Sequence, residues 1–295
     1  MTEPTTLPAP VLDWARSSLG SLTVDDASGN YSPRVWEVTR HDGGDRFFVK
    51  LAASPASFTR ATFAYRHAVP RLGAGRAPGL AATSAQHLAL IVTAVPGTAL
   101  SRLQLSGSAL ETAYRKAGAL LALLHQAGKL TRSTHQQAST SLRRAADRAE
   151  QYVEAAGEHL SAEQRKLVMV RAAELRLLDR LPLGYIHGNA EADQWMWSGP
   201  RQPMAFTGFG YARFAAVVED FVLMACGAWA EEPRLRSAFL AGYGRRLSDE
   251  EKHALACLTA LHAATFSLRG AARGQTAAAE RGRRLLDRLM REAHA

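Results

Sequence analysis

The pattern of apolar and polar positions changes character about a third of the way along the chain. Up to residue 100 the apolar positions come in short runs enriched in β-branched and aromatic side chains. Tyr31–Thr39 and Arg46–Leu51 read as strands joined by the turn His41-Asp42-Gly43-Gly44-Asp45, and Leu88–Ala94 reads as a further strand closed by Pro96-Gly97. Between them Ser57–Leu72 has helical spacing, with Phe58, Ala61, Tyr65, Val69 and Leu72 on one face and Pro70 near its end. From Ser108 onward the period becomes helical. Leu110–His125 is strongly amphipathic, and Leu142–Leu181 holds two more helices. A non-helical patch then runs from Tyr185 to about Phe214, and helices resume at Val217.

This order predicts an α+β, bilobal chain: a small β-rich lobe over residues 1–96, a hinge near residues 94–100, and a larger helical lobe over residues 97–295. No internal repeat or low-complexity linker interrupts it. A length of 295 residues with 47% apolar content suffices for a sizeable core. No apolar run approaches the roughly 18 residues of a membrane span. The N-terminal Met1-Thr2-Glu3-Pro4 has neither the basic nor the apolar region of a secretory leader, so a cytoplasmic location is expected. Cys226 and Cys257 stand 31 positions apart without metal-ligand partners at motif spacing, which favours two buried thiols over a disulfide.

The formal charge is +9. Much of it sits on a late helix, in Arg281, Arg283, Arg284, Arg288 and Arg291, interrupted by Glu280, Asp287 and Glu292. With no aromatic residues interleaved for base stacking, that run reads as a solvated helix face, and nucleic acid ranks last among partners. The acidic residues are unevenly spread: none occurs between Asp45 and Glu111. That span holds seven basic residues: Arg46, Lys50, Arg60, Arg66, Arg71, Arg76 and Arg102.

The candidate chemistry lies in the non-helical patch, in His187-Gly188-Asn189, Gln194 and Gly208-Phe209-Gly210. In this order, and with Phe47-Phe48-Val49-Lys50 upstream, these elements resemble the aminoglycoside phosphotransferase family. That family is a branch of the protein-kinase-like fold that includes antibiotic, choline and homoserine kinases. The resemblance covers nearly the full length. Ser28-Gly29-Asn30 before Arg34-Val35-Trp36 is similar to the family's phosphate loop. Lys50 is similar to its nucleotide-binding lysine, Pro96-Gly97-Thr98-Ala99-Leu100 to the segment after the hinge, and Leu124-His125 to the end of the long helix that follows. Asp220 is similar to the aspartate placed about twelve residues beyond the Asp-Phe-Gly triplet, and Phe239-Leu240-Ala241-Gly242-Tyr243 to a late-helix segment. The resemblance implies a small antiparallel five-stranded sheet with one helix in the first lobe, and ligand contacts from Gly29, Asn30, Lys50 and Trp195.

The departures from the family are equally ordered. Asn189 stands at the family's catalytic aspartate, Gln194 at its magnesium-binding asparagine, and Gly208 at the aspartate that bridges magnesium to the phosphates. Ala61 stands where a helix glutamate would pair with the lysine. The resemblance therefore implies a degenerate, pseudokinase-like member with no intact catalytic residue, no metal and no obligatory cofactor; ATP without magnesium stays open as a ligand. The expected partner is an anionic small molecule, a peptide or another protein, in a natural-product or resistance setting and without a membrane. Glu191 and Asp193, in the same loop, are the alternative. They read first as solvated loop residues, but could replace the lost carboxylates in an enzyme acting on a small-molecule or peptide hydroxyl. His187 and Asp220 are expected to be structural. Trp195 and Trp197 alternate at strand period and read more as core or wall than as a stacking platform.

Overall fold

The computed structural model describes residues 6–25, 34–272 and 276–294. The Ser28-Gly29-Asn30 segment and the start of the first expected strand lie outside the described residues. The chain divides into two compact units, Met1–Ala109 with Ala192–Arg213, and Leu110–Glu191 with Phe214–Ala295.

The first unit is built on a five-stranded antiparallel sheet. Its strands are β1 (Leu22–Asp25), β2 (Val35–Arg40), β3 (Arg46–Leu51), β4 (Leu80–Ser84) and β5 (Ala89–Thr93), in the order β1-β2-β3-β5-β4. The β3 boundaries match the expectation from sequence, and β2 and β5 fall inside or beside the expected runs. An N-terminal helix, α1 (Ala9–Leu19), was not expected. It starts behind Pro8 with Pro10 in its first turn, where a missing N–H costs nothing. Its Val11 and Ala15 join Trp36, Val38, Phe47, Val49, Ala89 and Ile91 in a buried cluster on one face of the sheet. Because side chains alternate across a strand, Glu37, Phe48 and Lys50 fall on the other face, with Lys50 opposite Val35 and Leu90.

The second helix of this unit, α2 (Pro55–Phe63), is opened by a reciprocal Ser54–Ser57 capping pair. It continues through a π turn, Ala64–Ala68, and a 3-10 turn, Val69–Leu72. Pro70 has no N–H to give the preceding turn, so the regular ladder does not run on to Leu72 as the periodicity alone suggested. Residues 192–213 add a three-stranded patch in which Thr98–Ala99 and Ala205–Phe206 flank Trp195–Trp197.

The second unit is helical: α3 (Gly107–His125), α4 (Arg132–Ser139), α5 (Ser141–Asp147), α6 (Ala149–Ala156), α7 (Ala162–Arg176), α8 (Val222–Cys226), α9 (Ala228–Glu231), α10 (Pro233–Tyr243), α11 (Asp249–Ala272) and α12 (Thr276–His294). The span expected to hold two helices holds three, α5 to α7. Helices α3 and α10 cross at backbone contact. A Cβ on Gly118 would overlap Phe239 O, and one on Gly242 would overlap Arg115 O and come within 2.6 Å of its carbonyl carbon. Only glycine permits that approach, and it brings Tyr243 beside His125. On α12, Leu285 and Leu286 are buried while Arg284 pairs with Glu280 and Arg288 with Glu292, the solvated face expected from the charge pattern. No described helix is long and apolar enough to cross a membrane.

Candidate ligand site

In the first unit the candidate residues are Lys50, Gln194 and the Gly208-Phe209-Gly210 segment. Lys50 is half-buried, and its ammonium has no ion pair among the described residues. Loss of water contact alone pushes its pKa down to about 8. Helix α2 carries no carboxylate to meet it. Two acidic side chains share its sheet face: Glu37, buried and paired with Arg46, and Asp25, registered opposite Glu37 and accepting from the Thr39 hydroxyl (2.7 Å).

Gly208 takes the left-handed conformation, φ 79° and ψ 39°, which L side chains adopt only at a cost. Gln194 lies directly against it. A Cβ on Gly208 would overlap Gln194 Oε1 and sit 2.7 Å from its Cδ. The amide is fixed by Thr207, whose Oγ1–H donates to Gln194 Oε1 (3.2 Å) and whose N–H donates to Gln194 O (2.9 Å). Positions 194 and 208 thus form one packing unit: the Gln194 amide occupies the volume into which a side chain at 208 would project.

The Gly-Phe-Gly segment is tied down by residues that sequence reasoning did not single out for this task. Arg60 Nε–H donates to Gly210 O (3.0 Å), and the Phe209 ring meets Tyr65 edge-on at 5.4 Å. A cation on α2 therefore holds the segment, one residue before Ala61. The available signal was Arg60 itself, next to Ala61. Trp195 is buried and stacks on Phe206 at 6.1 Å, and Trp197 is buried as well. Trp195, counted among the ligand contacts from sequence, is placed in the interior. Asp193 is exposed, in the 3-10 turn Ala192–Gln194.

In the second unit the His187-Gly188-Asn189 loop follows the strand Leu183–Ile186, and Asp220 is its hub. Asp220 Oδ2 accepts from His187 N–H (2.7 Å) and from His125 Nε2–H (3.0 Å), and Oδ1 accepts from Gly188 N–H (2.6 Å). Burial would raise this carboxyl. The donors that face it, His125 Nε2–H first and then the His187 backbone N–H, outweigh that and hold it below the usual range. With the Nε2 proton on Asp220, His125 Nδ1 accepts from the Tyr243 hydroxyl (2.7 Å). Burial keeps that phenol protonated by pushing its pKa up to about 12. His187 is fully buried, and its Nδ1 accepts from Asn189 N–H at 3.3 Å. Glu191 is half-buried at the end of the loop.

This arrangement fixes a loop backbone in one unit and a Gly-Phe-Gly backbone in the other. Residues 23–257 match the model of the phosphotransferase enzyme family. The chain belongs to that family. Its members among solved structures confirm a kinase-like fold at low sequence identity. An aminoglycoside 2'-phosphotransferase-IIIa in complex with GDP is similar at 16% identity and TM-score 0.64, with 96% of each chain covered. The macrolide 2'-phosphotransferase MphH from Brachybacterium faecium is similar at 18% and 0.61, covering 95% of this chain and 98% of that one. A thermostable aminoglycoside phosphotransferase APH(4)-Ia in a ternary complex with ADP and hygromycin B is similar at 11% and 0.69, covering 97% and 98%. No curated protein matches the sequence.

Proposed function

We propose that this family member is a pseudokinase that acts by binding a ligand or partner and does not transfer phosphate from magnesium-ATP. The observation that carries the reading is the Gln194–Gly208 pair. A magnesium ion on a nucleotide needs hard carboxylate oxygens and keeps near-ideal octahedral geometry. At the position of the bridging carboxylate stands a glycine whose side-chain volume is taken by a fixed amide oxygen. Asn189 compounds this, since an amide has no basic lone pair to take a hydroxyl proton. Loss of a positioned base costs roughly 10²–10⁴ in rate, and loss of a charge-stabilising metal costs several kcal/mol more.

What remains suits an anion held without a metal. Lys50 keeps a desolvated cation with no carboxylate partner among the described residues. The stretch from Arg46 to Arg102 adds only basic charges. The ligand class we favour is an anionic small molecule or peptide, ATP without magnesium included, in a cytoplasmic natural-product or resistance setting like that suggested by the antibiotic names of the similar structures. The second reading, phosphotransfer rebuilt on Glu191 or Asp193, has one observation in its favour: Asp193 sits in the 3-10 turn that carries Gln194, and Glu191 immediately precedes that turn.

Turnover and ligand stabilisation separate the two. ATP turnover with hydroxyl acceptors is expected at background, and any shift in Tm given by ATP is expected to be equal with magnesium and with EDTA. Turnover at an ordinary enzyme rate of roughly 1–10³ s⁻¹, abolished by Glu191→Gln or Asp193→Asn, would replace the first reading by the second.

A further inference from the structure

Away from the residues discussed so far, α7 and α11 bring together Glu174, His253 and Cys257. His253 and Cys257 are one turn apart on α11, so Nε2 and Sγ project from the same face. Glu174 reaches them from the last turns of α7. The three donor atoms form a nearly equilateral triangle: Glu174 Oε2 to His253 Nε2 is 3.5 Å, Glu174 Oε2 to Cys257 Sγ 3.5 Å, and His253 Nε2 to Cys257 Sγ 3.8 Å. We propose that Glu174, His253 and Cys257 form a zinc site that clips α7 to α11 in the helical unit.

The argument rests on shape and on donor chemistry. Zinc bonds of about 2.3 Å to sulfur and about 2.0–2.2 Å to nitrogen and oxygen, at tetrahedral angles, give donor–donor edges of roughly 3.4–3.6 Å. Two of the three edges already fall there, and the third closes with a few tenths of an ångström. A thiolate, an imidazole and one carboxylate suit zinc and disfavour magnesium and calcium, which take oxygen cages. Cys257 is buried and forms the floor, while the Glu174 and His253 side chains, 34% and 41% exposed, form a rim through which an ion can enter and water can take the fourth position.

Arg171 also donates to Glu174 Oε2, at 2.8 Å. It does not close the site, because an ionised carboxylate oxygen has a second lone pair. The charges also allow it: a dication with one carboxylate and one thiolate is neutral overall, so the guanidinium faces no net positive centre. It then orients the ligating carboxylate, as outer partners of metal ligands do. On binding, the Cys257 S–H bond breaks, the sulfur lone pair forms the S–Zn bond, and the proton leaves to water.

The test uses the full chain without a histidine tag, stripped with a chelator. One equivalent of zinc is expected to bind and to raise Tm by several degrees. Cobalt(II) in its place is expected to give a thiolate-to-metal charge-transfer band with tetrahedral visible absorption. His253→Asn and Glu174→Gln, both at half-exposed positions, are expected to weaken zinc at least tenfold, and Cys257→Ser to remove the charge-transfer band. Cys226→Ser should leave the band intact. Folded wild-type protein that takes up no zinc, binding unchanged in His253→Asn and Glu174→Gln, or a band that follows Cys226 would each overturn the proposal. Because none of these readouts uses ATP, their outcome is independent of whether the protein is a pseudokinase.

Discussion

The His-Gly-Asn loop of the helical unit and the Lys50/Gly208 region of the β-rich unit treat their polar groups in opposite ways. Around Asp220 the carboxylate oxygens are matched: two backbone N–H groups and an imidazole donate to them, with a phenol behind the imidazole. Such a buried network holds a fold in one arrangement. Around Lys50 the reverse holds, with a partly desolvated ammonium that meets no anion among the described residues. At Gly208 a side chain is missing and its volume is filled by an amide. The first region uses its polar groups to hold backbone; on the reading proposed above, the second has lost the groups that would touch magnesium or phosphate. A group that stabilises the fold is explained by folding; a group that costs stability points to a function, and the ligand proposed above for Lys50 would supply one.

The largest expected effect tests the first half of this contrast. Asp220→Asn puts an amide among three donors and leaves part of a buried network unpaired, which is expected to cost about 3–5 kcal/mol in denaturant unfolding. The carboxyl's folded pKa is depressed, so its contribution is present above its unfolded value of about 3.9 and is lost as pH falls through the lower folded value. Acid unfolding of the variant should accordingly be less steep below about pH 4. A cost under about 1 kcal/mol would mean that the network is not what holds the loop.

Lys50 should give the opposite sign. Its folded pKa is about 8 against 10.5 for an ordinary lysine, so between these values the unfolded chain binds more protons and stability rises with pH. Lys50→Met, which keeps the stem and removes the charge, is expected to stabilise the protein at pH 7 by about 1–3 kcal/mol and to remove that rise. The upper end is discounted because the side chain is only half-buried. Destabilisation on this substitution would show that the ammonium is engaged within the fold and is not held for a ligand. The same variant should lose any stabilisation given by ATP.

Sequence pattern reached the parts of this molecule governed by local periodicity. β3 was legible to the residue because the aromatic-rich run Arg46–Leu51 is bounded by the His41–Asp45 turn on one side and a loop on the other. Leu110–His125 was legible because its apolar stripe is wide. β4 was not, since Leu80-Ala81-Ala82-Thr83-Ser84 has little β-branched character and is held by pairing to β5. α1 was hidden behind prolines, although they favour its first turn. In the site, each departure from the family was visible one residue at a time. That Gln194 fills the space beside Gly208, that Arg60 grips Gly210, and that Asp220 reaches His125 from 95 positions away are facts of packing that no spacing rule encodes. The Glu174–His253–Cys257 triangle was missed for the same reason. Two of its members are four apart on one helix, but the third lies 83 positions before Cys257.

The smallest expected effect is a coupling, and it tests whether positions 194 and 208 are one unit. Gly208→Ala carries two costs. The left-handed backbone penalises any Cβ by roughly 1–2 kcal/mol, and the new methyl overlaps the Gln194 amide. The amide end is flexible and can swing aside, but only by giving up the hydrogen bond from Thr207, worth about 1 kcal/mol. Gln194→Asn shortens the side chain by one methylene and draws its oxygen back from Gly208. In that background Gly208→Ala should lose the packing cost and keep the backbone cost. The double-mutant cycle should therefore show the pair about 1 kcal/mol less destabilised than the two single changes added together. Strict additivity would mean that Gln194 does not fill the vacated space in solution. The observation on which the pseudokinase reading stands would then be gone, even if turnover were still absent.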